Sequence, residues 1–393
     1  MKVLLVNHTF DRSEGQGKVN AEIARALLDH GHEVTLVSSD GPEDIEGLDK
    51  ARRLQVTPVS WLPSRLLRHL TFGYRTAQLI KRLRPGHDVV AANGGMTFAK
   101  TDVNVCHFVH RSWLRHSQHP LRSQRGLRRL WSLYQYAYSK QAEVWERSAY
   151  LRADRVVAIS ELVRDQLVNE VGVPANRVVV IENGLDPIAS DESSDHRRKA
   201  REDFGTTNNQ FVLLFVAELR TPRKNFDAIL RALPELPEDV VVVAAGEHRG
   251  GPYPDIVKQQ GLQDRVRFLG FRRDVRQLYA GADAFVLVSH YEPFGLVVTE
   301  AMASGVPVIT SKSVGAASVV SRHDAGIVID DPANHSALAD AVTGLYADRE
   351  RRTRCGENGR AASMEMAWPL VSQRYERLLG SFVAARDPKG ASA

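Results

Sequence analysis

The sequence predicts an α/β protein with two successive doubly wound domains, each built on a parallel β-sheet. Apolar runs such as residues 3–7, Phe211–Val216 and Val240–Ala245 have the continuous hydrophobicity of strands that are buried on both faces. They alternate with segments whose apolar residues recur at helical spacing, and this alternation restarts after a polar stretch that begins at residue 190. A length of 393 residues also suits two domains, each with its own core.

A unit of strand, loop, helix and strand opens the chain, which is the signature of a doubly wound domain. Its loop contains Gly15 and Gly17 but lacks the third glycine of a full dinucleotide-binding fingerprint. These glycines either serve a turn or let the backbone approach a ligand closely, and both interpretations stay open. Strands are predicted at residues 3–7, 33–38, 54–60, 89–93, 103–106, 155–160 and 178–181, and a long aromatic helix at residues 127–151.

Residues 190–199 are polar, charged and without aliphatic side chains, which is typical of a linker. We therefore assign residues 1–188 to the first domain and residues 189–368 to the second. A final helix is expected at residues 370–385. The strands of the second domain are predicted at residues 211–216, 240–245, 266–270, 284–288 and 306–310.

Composition limits the classes of protein to consider. Apolar residues make up 43% and charged residues 25% of the chain, which is ordinary for a globular protein. Cys106 and Cys355 are the only cysteines, so we expect no disulfide framework and favour the reducing cytoplasm. No apolar run approaches the roughly 20 residues of a membrane span, and the first residues turn polar too soon for a signal peptide.

The net charge of +5 reflects two basic clusters in the first domain. Solvated faces explain such clusters most simply, and an anionic membrane surface or an anionic acceptor are the alternatives. We do not expect a nucleic acid partner, because no recognition motif accompanies the charge. The clusters consist of Arg65, Arg68, Arg75, Lys81, Arg82 and Arg84, and of Arg111, Arg115, Arg122, Arg125, Arg128 and Arg129.

Two carboxylates, Glu292 and Glu300, lie eight positions apart in the segment at residues 289–309. Pro293 suits the first turn of a helix, which would leave Glu292 in the preceding loop and Glu300 about two turns inside. The free N–H groups at such a helix start suit an anionic phosphate, and here they belong to Phe294, Gly295 and Leu296. Two acceptors for hydroxyl groups beside a phosphate site indicate a sugar nucleotide as the ligand.

A histidine, His107, follows the predicted strand at residues 103–106, and His110 lies three residues further on. The carboxyl end of a parallel strand is the edge at which open sheets bind ligands. A single histidine is more often structural than functional, so its position alone leaves both interpretations open.

The chain resembles the retaining GT-B glycosyltransferases of family 4 over nearly its whole length. The resemblance is most specific in Phe268-Leu269-Gly270, Leu278-Tyr279 and the segment at residues 289–308. It implies two Rossmann-like domains that face a cleft, an acceptor-binding domain followed by a donor-binding domain. It also implies that a C-terminal helix at residues 369–393, with Trp368 and Tyr375, packs back on the first domain.

The resemblance also implies the roles of the donor-binding residues. Glu292 would bind hydroxyls of the donor sugar, Glu300 the nucleotide ribose and Lys224 the diphosphate. Ala217 and Glu218 replace the family's usual Gly-Arg pair, so Arg220 and Arg223 are both candidates for the arginine role. Backbone N–H groups to the donor would come from Phe294, Gly295, Leu296 and Val297.

Further roles are implied for residues outside that segment. His107 would contact the donor sugar and orient the reaction, with His110 as the alternative. Gly15 and Gly17 would approach the diphosphate or the acceptor from the first domain. The nucleotide base would meet Phe271, Arg272 and Arg273, and the catalytic set would be His107, Glu292 and Lys224.

The implied reaction moves a sugar from a nucleoside diphosphate donor, by default a UDP-sugar, to an acceptor hydroxyl with retention at the anomeric carbon. No metal or other cofactor is expected, and front-face attack is favoured over a covalent intermediate. The basic and aromatic first domain favours a glycan or lipid-linked acceptor at the inner face of a membrane. Residues 187–201 are a hinge candidate. A non-hydrolysing sugar-nucleotide epimerase and a non-catalytic sugar-nucleotide-binding protein are the alternatives.

Overall fold

The computed structural model describes residues 1–11, 15–39, 50–56, 65–115, 128–186 and 194–386. The chain divides into two compact units. Unit 1 contains Met1–Gly184 and Trp368–Ala393, and unit 2 contains Leu185–Ala367. These limits lie close to the domain boundaries predicted at residues 188 and 368. Residues 57–60, 190–193, Arg122 and Arg125, which the predictions above include, lie outside the described part of the chain.

Unit 1 is built on a parallel sheet in the order β3-β2-β1-β4-β5-β6-β7. The strands are β1 (Lys2–Val6), β2 (Glu33–Ser38), β3 (Ala51–Gln55), β4 (Val89–Asn93), β5 (Val103–Cys106), β6 (Arg155–Ala158) and β7 (Val178–Val180). The α-helices are α1 (Gly15–Asp29), α2 (Arg65–Leu83), α3 (His110–Arg115), α4 (Arg128–Arg152), α5 (Glu161–Gln166) and the C-terminal helix Trp368–Arg386. Short 3-10 turns lie at Arg84–Gly86 and Ala175–Arg177, and a π-helical turn at Leu167–Val171.

Unit 2 has a second parallel sheet in the order β10-β9-β8-β11-β12-β13. Its strands are β8 (Phe211–Val216), β9 (Val240–Ala245), β10 (Val266–Gly270), β11 (Ala284–Leu287), β12 (Val308–Ser311) and β13 (Gly326–Ile329). Its helices are α6 (Ser194–Phe204), α7 (Phe226–Ala232), α8 (Tyr253–Gln259), α9 (Val275–Gly281), α10 (Leu296–Ala303), α11 (Ala317–Arg322), α12 (His335–Ala347) and α13 (Arg349–Glu365). Pro222–Lys224 and Leu233–Glu235 are 3-10 turns. The C-terminal helix of unit 1 is α14.

The prediction of two doubly wound parallel sheets is confirmed. In each sheet the strand order reverses once, between β1 and β4 in unit 1 and between β8 and β11 in unit 2. Open α/β sheets bind ligands beyond the carboxyl ends of the strands at such a reversal. The loops that follow β8 and β11 are therefore where a site in unit 2 is expected.

The predicted linker is partly helical, since α6 begins at Ser194. The helix buries Ala200 and Phe204, which lie against Gly281 of α9, and ion pairs add to this short apolar face. Asp195 forms ion pairs with Arg198 at 2.6 Å and Lys199 at 2.8 Å, three and four residues further along the helix. The buried Arg201 then joins α6 to the remaining fold through a 2.6 Å contact with Asp283. Residues 194–201 thus form part of a docked helix of unit 2 and not an irregular linker, and the hinge at residues 187–201 stays a prediction.

Helix α14 packs against α1 within unit 1. Glu376 accepts hydrogen bonds from His30 Nδ1 and His32 Nε2, both at 2.7 Å. At its start, the indole of Trp368 lies so close to Gly184 that a Cβ there would collide with it. None of the described helices is both long and apolar enough to cross a lipid bilayer.

Candidate active site

Backbone and side-chain hydrogen bonds connect the loops that follow β8 and β11. Asn225 Nδ2 donates to the carbonyl of Val288 at 2.9 Å. The N–H of His290 donates to the carbonyl of Arg223 at 3.0 Å, and Arg223 Nη1 donates to the carbonyl of Tyr291 at 3.1 Å. The two loops therefore form one structure at the strand reversal of unit 2.

Backbone pairing fixes the segment that precedes helix α10. Glu292 donates its N–H to the carbonyl of Ser313 at 3.1 Å and accepts from the N–H of Gly315 at 2.8 Å. The carbonyl of Phe294 accepts from the N–H of Ala316 at 2.8 Å. This pairing ties residues 292–294 to the segment at residues 313–316, with a β-bridge between Glu292 and Val314, and the helix starts at Leu296 and not at Pro293.

The later helix start corrects the predicted position of Glu300, which lies just over one turn inside α10 and not two. Gly295 precedes the helix with a φ of 93°, in the left-handed region that favours glycine. A Cβ at this position would also lie 3.1 Å from Val314 Cγ1. A glycine is therefore required where the segment at residues 292–294 turns into the helix.

Glu292 is the centre of a compact charged group in unit 2. Its carboxylate forms a direct ion pair with Lys224 Nζ and lies 3.5 Å from Arg223 Nη1. The Glu292 and Lys224 side chains are 14% and 15% exposed, so solvent screens the pair only weakly. Burial by itself would raise the pKa of Glu292, but Lys224, Arg223 and the N–H of Phe294 outweigh it and lower the pKa. Glu292 is thus ionised and lies between two basic side chains.

The two candidates for the arginine role have different surroundings. Arg223 contacts Glu292 and the loop that follows β11. Arg220 lies 3.0 Å from the carboxylate of Glu218, and its side chain is 56% exposed. Glu218 accepts hydrogen bonds from both Arg220 and Thr221. Of the two arginines, only Arg223 contacts the Glu292 group.

Helix α10 presents its N-terminus beside this charged group. The first N–H groups of a helix have no intrahelical acceptor, and here they belong to Leu296 and Val297, with Gly295 as the cap. The N–H of Phe294, by contrast, is engaged by the carboxylate of Glu292. The helix packs closely against α13, where a Cβ at Gly359 would lie only 3.2 Å from Met302 Cα. Lys224, Arg223 and the helix start together form a positively polarised surface.

Glu300 on α10 faces the buried Tyr279 of α9. The phenol oxygen of Tyr279 lies 3.3 Å from Glu300 Oε2 and 3.1 Å from the carbonyl of Val297. The sequence motif Leu278-Tyr279 carried the family resemblance, but no role was derived for the tyrosine. The contact between Tyr279 and Glu300 could not be predicted from the sequence, because the two residues lie 21 positions apart on different helices.

The residues predicted to meet the base follow β10. The Phe271 ring is 70% exposed, which leaves its face accessible to a flat ligand. Arg272 is paired with Asp203 and Asp274, each at 2.6 Å, and these hydrogen bonds raise its pKa. Arg272 is therefore fixed by acidic neighbours before any ligand binds. Asp203 lies 69 residues from Arg272, so no local sequence pattern connects the two side chains.

In unit 1, the two candidate histidines have different surroundings. His110 Nδ1 lies 2.8 Å from Glu146 Oε1, and its ring packs edge-on against Phe108. Burial lowers the pKa of His110, but the charge of Glu146 and its hydrogen bond outweigh burial and raise it. His107 Nε2 is buried without a hydrogen-bond partner among the described residues. Burial lowers the pKa of His107 from 6.5 to about 4, so its imidazole is neutral at pH 7.

We expect His107 to make the protein less stable in mild acid. Its folded-state pKa lies below its unfolded value, so the unfolded chain binds the extra proton as the pH falls from 6.5 to about 4. In this window the unfolding free energy of wild type should fall, relative to that of His107→Gln, by about 1.4 kcal/mol for each unit that the pH is lowered. Denaturant unfolding at pH 7.5, 5.5 and 4.5 measures this change, with His335→Gln as a control. Parallel pH profiles of wild type and His107→Gln would contradict the assignment.

Gly15 and Gly17 lie at the start of helix α1 and not in the predicted loop. Gly15 is the first residue of α1 and is exposed, and Gly17 lies in the first turn and is buried. A Cβ at Gly17 would collide with the carbonyl oxygen of Asp11. The close approach that requires Gly17 is thus made by the chain's own backbone, and residues 15–18 are helical and not a loop.

Comparison with known families supports the same interpretation of both units. The profile for glycosyl transferases group 1 matches residues 196–362, and the profile for glycosyltransferase family 4 matches residues 13–188. The chain belongs to the group 1 glycosyltransferases of family 4. Each profile falls almost wholly within one unit, so the residues around Glu292 lie in the group 1 match.

Individual relatives agree with this family. An uncharacterised glycosyltransferase of Methanocaldococcus jannaschii is 30% identical over 53% of this chain and 55% of its own length. The D-inositol 3-phosphate glycosyltransferase of Xylanimonas cellulosilytica is 32% identical over 57% of this chain and 56% of its own. The chain thus spans a little over half the length of these curated relatives.

Solved structures share the fold of this family 4 chain. WaaG, a glycosyltransferase involved in lipopolysaccharide biosynthesis, has a TM-score of 0.72 at 20% identity and covers 96% of this chain and 99% of its own. Sucrose-phosphate synthase from Thermosynechococcus elongatus has a TM-score of 0.75 at 21% identity, with 98% and 100% covered. The Anabaena protein HepE has a TM-score of 0.71 at 22% identity, with 97% and 100% covered. The GT-B fold is therefore confirmed.

Proposed function

We propose that the chain transfers a sugar from a nucleoside diphosphate sugar to an acceptor hydroxyl, with retention of the anomeric configuration. The observation that carries this proposal is the ion pair of Lys224 and Glu292 beside the start of α10. Two cations and a helix N-terminus suit a diphosphate, whereas a carboxylate between them suits sugar hydroxyls. HepE, of the same fold, is solved with UDP and glucose. This supports a UDP-sugar as the donor to test first.

The proposed division of roles follows the positions of the side chains. Lys224, Arg223 and the N–H groups of Leu296 and Val297 bind the diphosphate. In the transfer step the bond between the anomeric carbon and the phosphate oxygen breaks, and the acceptor oxygen bonds to that carbon on the same face. The acceptor's proton passes to the leaving diphosphate. Negative charge grows on that diphosphate, so fixed positive charge stabilises the transition state more than the ground state.

We propose that this charge stabilisation needs no divalent cation. A metal at a diphosphate supplies positive charge, and Lys224, Arg223 and the helix start supply it from the protein. The neutral His107 would accompany the donor sugar as a hydrogen-bonding group and not as a cation. Transfer that persists unchanged in EDTA supports this role, and transfer that requires added Mg²⁺ or Mn²⁺ would contradict it.

A thermal-shift screen against UDP-, GDP- and ADP-sugars tests the donor proposal, because ligands that bind the native state raise Tm. The best donor is then incubated with and without acceptors, and NMR of the product reports the anomeric configuration. D-inositol 3-phosphate belongs in the acceptor panel because the Xylanimonas relative carries that name. Isomerised sugar nucleotide without acceptor would indicate the epimerase alternative, and an inverted product would contradict retention.

We also propose that the protein binds an anionic membrane surface, where it would meet a lipid-linked acceptor. Helix α2 buries Phe72, Thr76 and Ile80 on one face and exposes apolar side chains on another. Leu67, Leu70 and Tyr74 are 38%, 42% and 61% exposed and recur at helical spacing. Basic residues of the same helix include Arg68, Arg75, Lys81 and Arg82. Exposed apolar and basic groups on one helix suit a membrane surface.

Removing the exposed apolar side chains should weaken this membrane contact. A Leu67→Ser/Leu70→Ser/Tyr74→Ser variant is expected to bind vesicles of phosphatidylglycerol and phosphatidylcholine about 10-fold or more weakly, since each side chain loses burial in the interface. Vesicle co-sedimentation in 0.05 M and 0.5 M NaCl measures the binding. Leu133→Ser, at an exposed leucine of α4, is the control. Wild-type binding that ignores both salt and anionic lipid would contradict the proposal.

A further inference from the structure

We propose that Tyr279 is a positioning residue that orients Glu300 toward the ribose of the bound nucleotide. The proposal rests on the proposed function, in which Glu300 binds the ribose, and it adds a residue that selects ribose over deoxyribose. Tyr279 lies on α9, Glu300 on α10, and both belong to unit 2.

The Tyr279 side chain is held in a fixed position. It is 1% exposed, and its ring packs edge-on against Phe285 of β11 with 5.9 Å between ring centroids. Its hydroxyl lies 3.1 Å from the carbonyl of Val297 in the first turn of α10. The phenol is therefore anchored to the sheet on one side and to the start of α10 on the other.

The same hydroxyl reaches the carboxylate of Glu300 at 3.3 Å. Burial and the nearby Glu300 charge raise the pKa of Tyr279 well above 10, so the phenol remains protonated. Its one hydrogen is shared between two acceptors, the carbonyl of Val297 and the carboxylate of Glu300. A glutamate side chain has three rotatable torsions, and a donor on one carboxylate oxygen restricts them. The second oxygen can then accept from ligand hydroxyls in a defined direction.

Ribose recognition is the property that such positioning should affect. A carboxylate that is already oriented binds a hydroxyl group with less loss of side-chain entropy than a mobile one. A site built for a hydroxyl also discriminates against a ligand that lacks it. We therefore expect Tyr279→Phe, which removes only the hydroxyl, to lower the preference for ribonucleotides while leaving the binding of deoxyribonucleotides unchanged.

The test compares the dissociation constants of UDP, GDP and ADP with those of their 2′-deoxy and 3′-deoxy forms by calorimetry. Wild type is expected to prefer the best ribonucleotide over one of its deoxy forms by about 10-fold or more. Tyr279→Phe should reduce this ratio to about 2-fold, and adding Tyr279→Phe to Glu300→Ala should cause no further change. Tyr346→Phe is the matched control, because its hydroxyl bonds to Asp239 at 3.0 Å elsewhere in unit 2.

The possible results separate this proposal from the proposed function. An unchanged ratio in Tyr279→Phe would overturn the role of Tyr279 while leaving the ribose role of Glu300 intact. Equal weakening of ribonucleotides and deoxyribonucleotides, with or without Glu300, would also overturn it, since that is the effect of a structural tyrosine. No ribose preference in wild type would overturn the ribose role of Glu300 and, with it, that of Tyr279.

Discussion

Replacing Lys224 with methionine is expected to lower kcat/KM for the sugar-nucleotide donor by about 100- to 1,000-fold, the usual effect of removing one fixed group that stabilises transition-state charge. Lys224 is 15% exposed, so little water can take the place of its ammonium group in the variant. Methionine keeps the length of the side chain and removes the ammonium group. Steady-state kinetics with varied donor and saturating acceptor measure the loss.

The variant is also expected to raise the pKa of Glu292, because an attraction that lowers this pKa disappears while burial remains. Protonation of Glu292 would limit the loss of folding stability. Lys312→Met is a matched control, since Lys312 pairs with Asp330 at 2.6 Å on the exposed surface of the same unit. Donor kinetics of Lys224→Met within 3-fold of wild type would remove Lys224 from the diphosphate site.

Glu292→Gln is expected to lower kcat/KM by at least about 100-fold, since the amide binds sugar hydroxyls without the negative charge. The effect on stability differs from that of Lys224→Met. Gaining a proton neutralises a carboxylate but not a lysine ammonium group. Glu292→Gln therefore leaves Lys224 without its partner while Arg223 remains nearby. We expect a loss of about 1–3 kcal/mol in unfolding free energy, as for an unpartnered polar group that is largely buried. Enzyme kinetics and denaturant unfolding measure the two effects.

Glu218→Gln is the control for Glu292, because it removes a carboxylate that pairs with Arg220 in the loop after β8. The double variant Lys224→Met/Glu292→Gln should lose less stability than the two single variants added together, since the two side chains contact each other. Additive losses would show that the ion pair is not the interaction that each variant disrupts.

The sheets were predictable because their strands carry a local signal. Phe211–Val216 and Val240–Ala245 are buried at every position, and both were located with their observed bounds. Strand β13 was missed because Gly326–Ile329 is short, with only Ile329 fully buried. Helix α6 was mistaken for linker because its apolar face is limited to Ala200 and Phe204 near its end. Its other anchor is the ion pair of Arg201 and Asp283, which hydrophobic periodicity does not detect.

The site was predictable in its residue types but not in its contacts. Pro293 and the apolar spacing that follows favour an early helix start, but backbone pairing of Glu292 and Phe294 with residues 313–316 prevails. Ser313 and Gly315 were missed for the same reason, although their place after β12, next to β11, was a usable signal. Arg223 differs from Arg220 in its contact with Glu292. No local sequence pattern connects Glu292 to either arginine, so the sequence could not decide between them.

The central claim is that Lys224 and the start of α10 bind a diphosphate. The ratio of the dissociation constants for a nucleoside monophosphate and the matching diphosphate tests it most directly, measured in EDTA with wild type and Lys224→Met. We predict that wild type binds the diphosphate about 10-fold or more tightly, as one charge-assisted contact implies, and that Lys224→Met loses most of this preference. An equal preference in both proteins would contradict the claim.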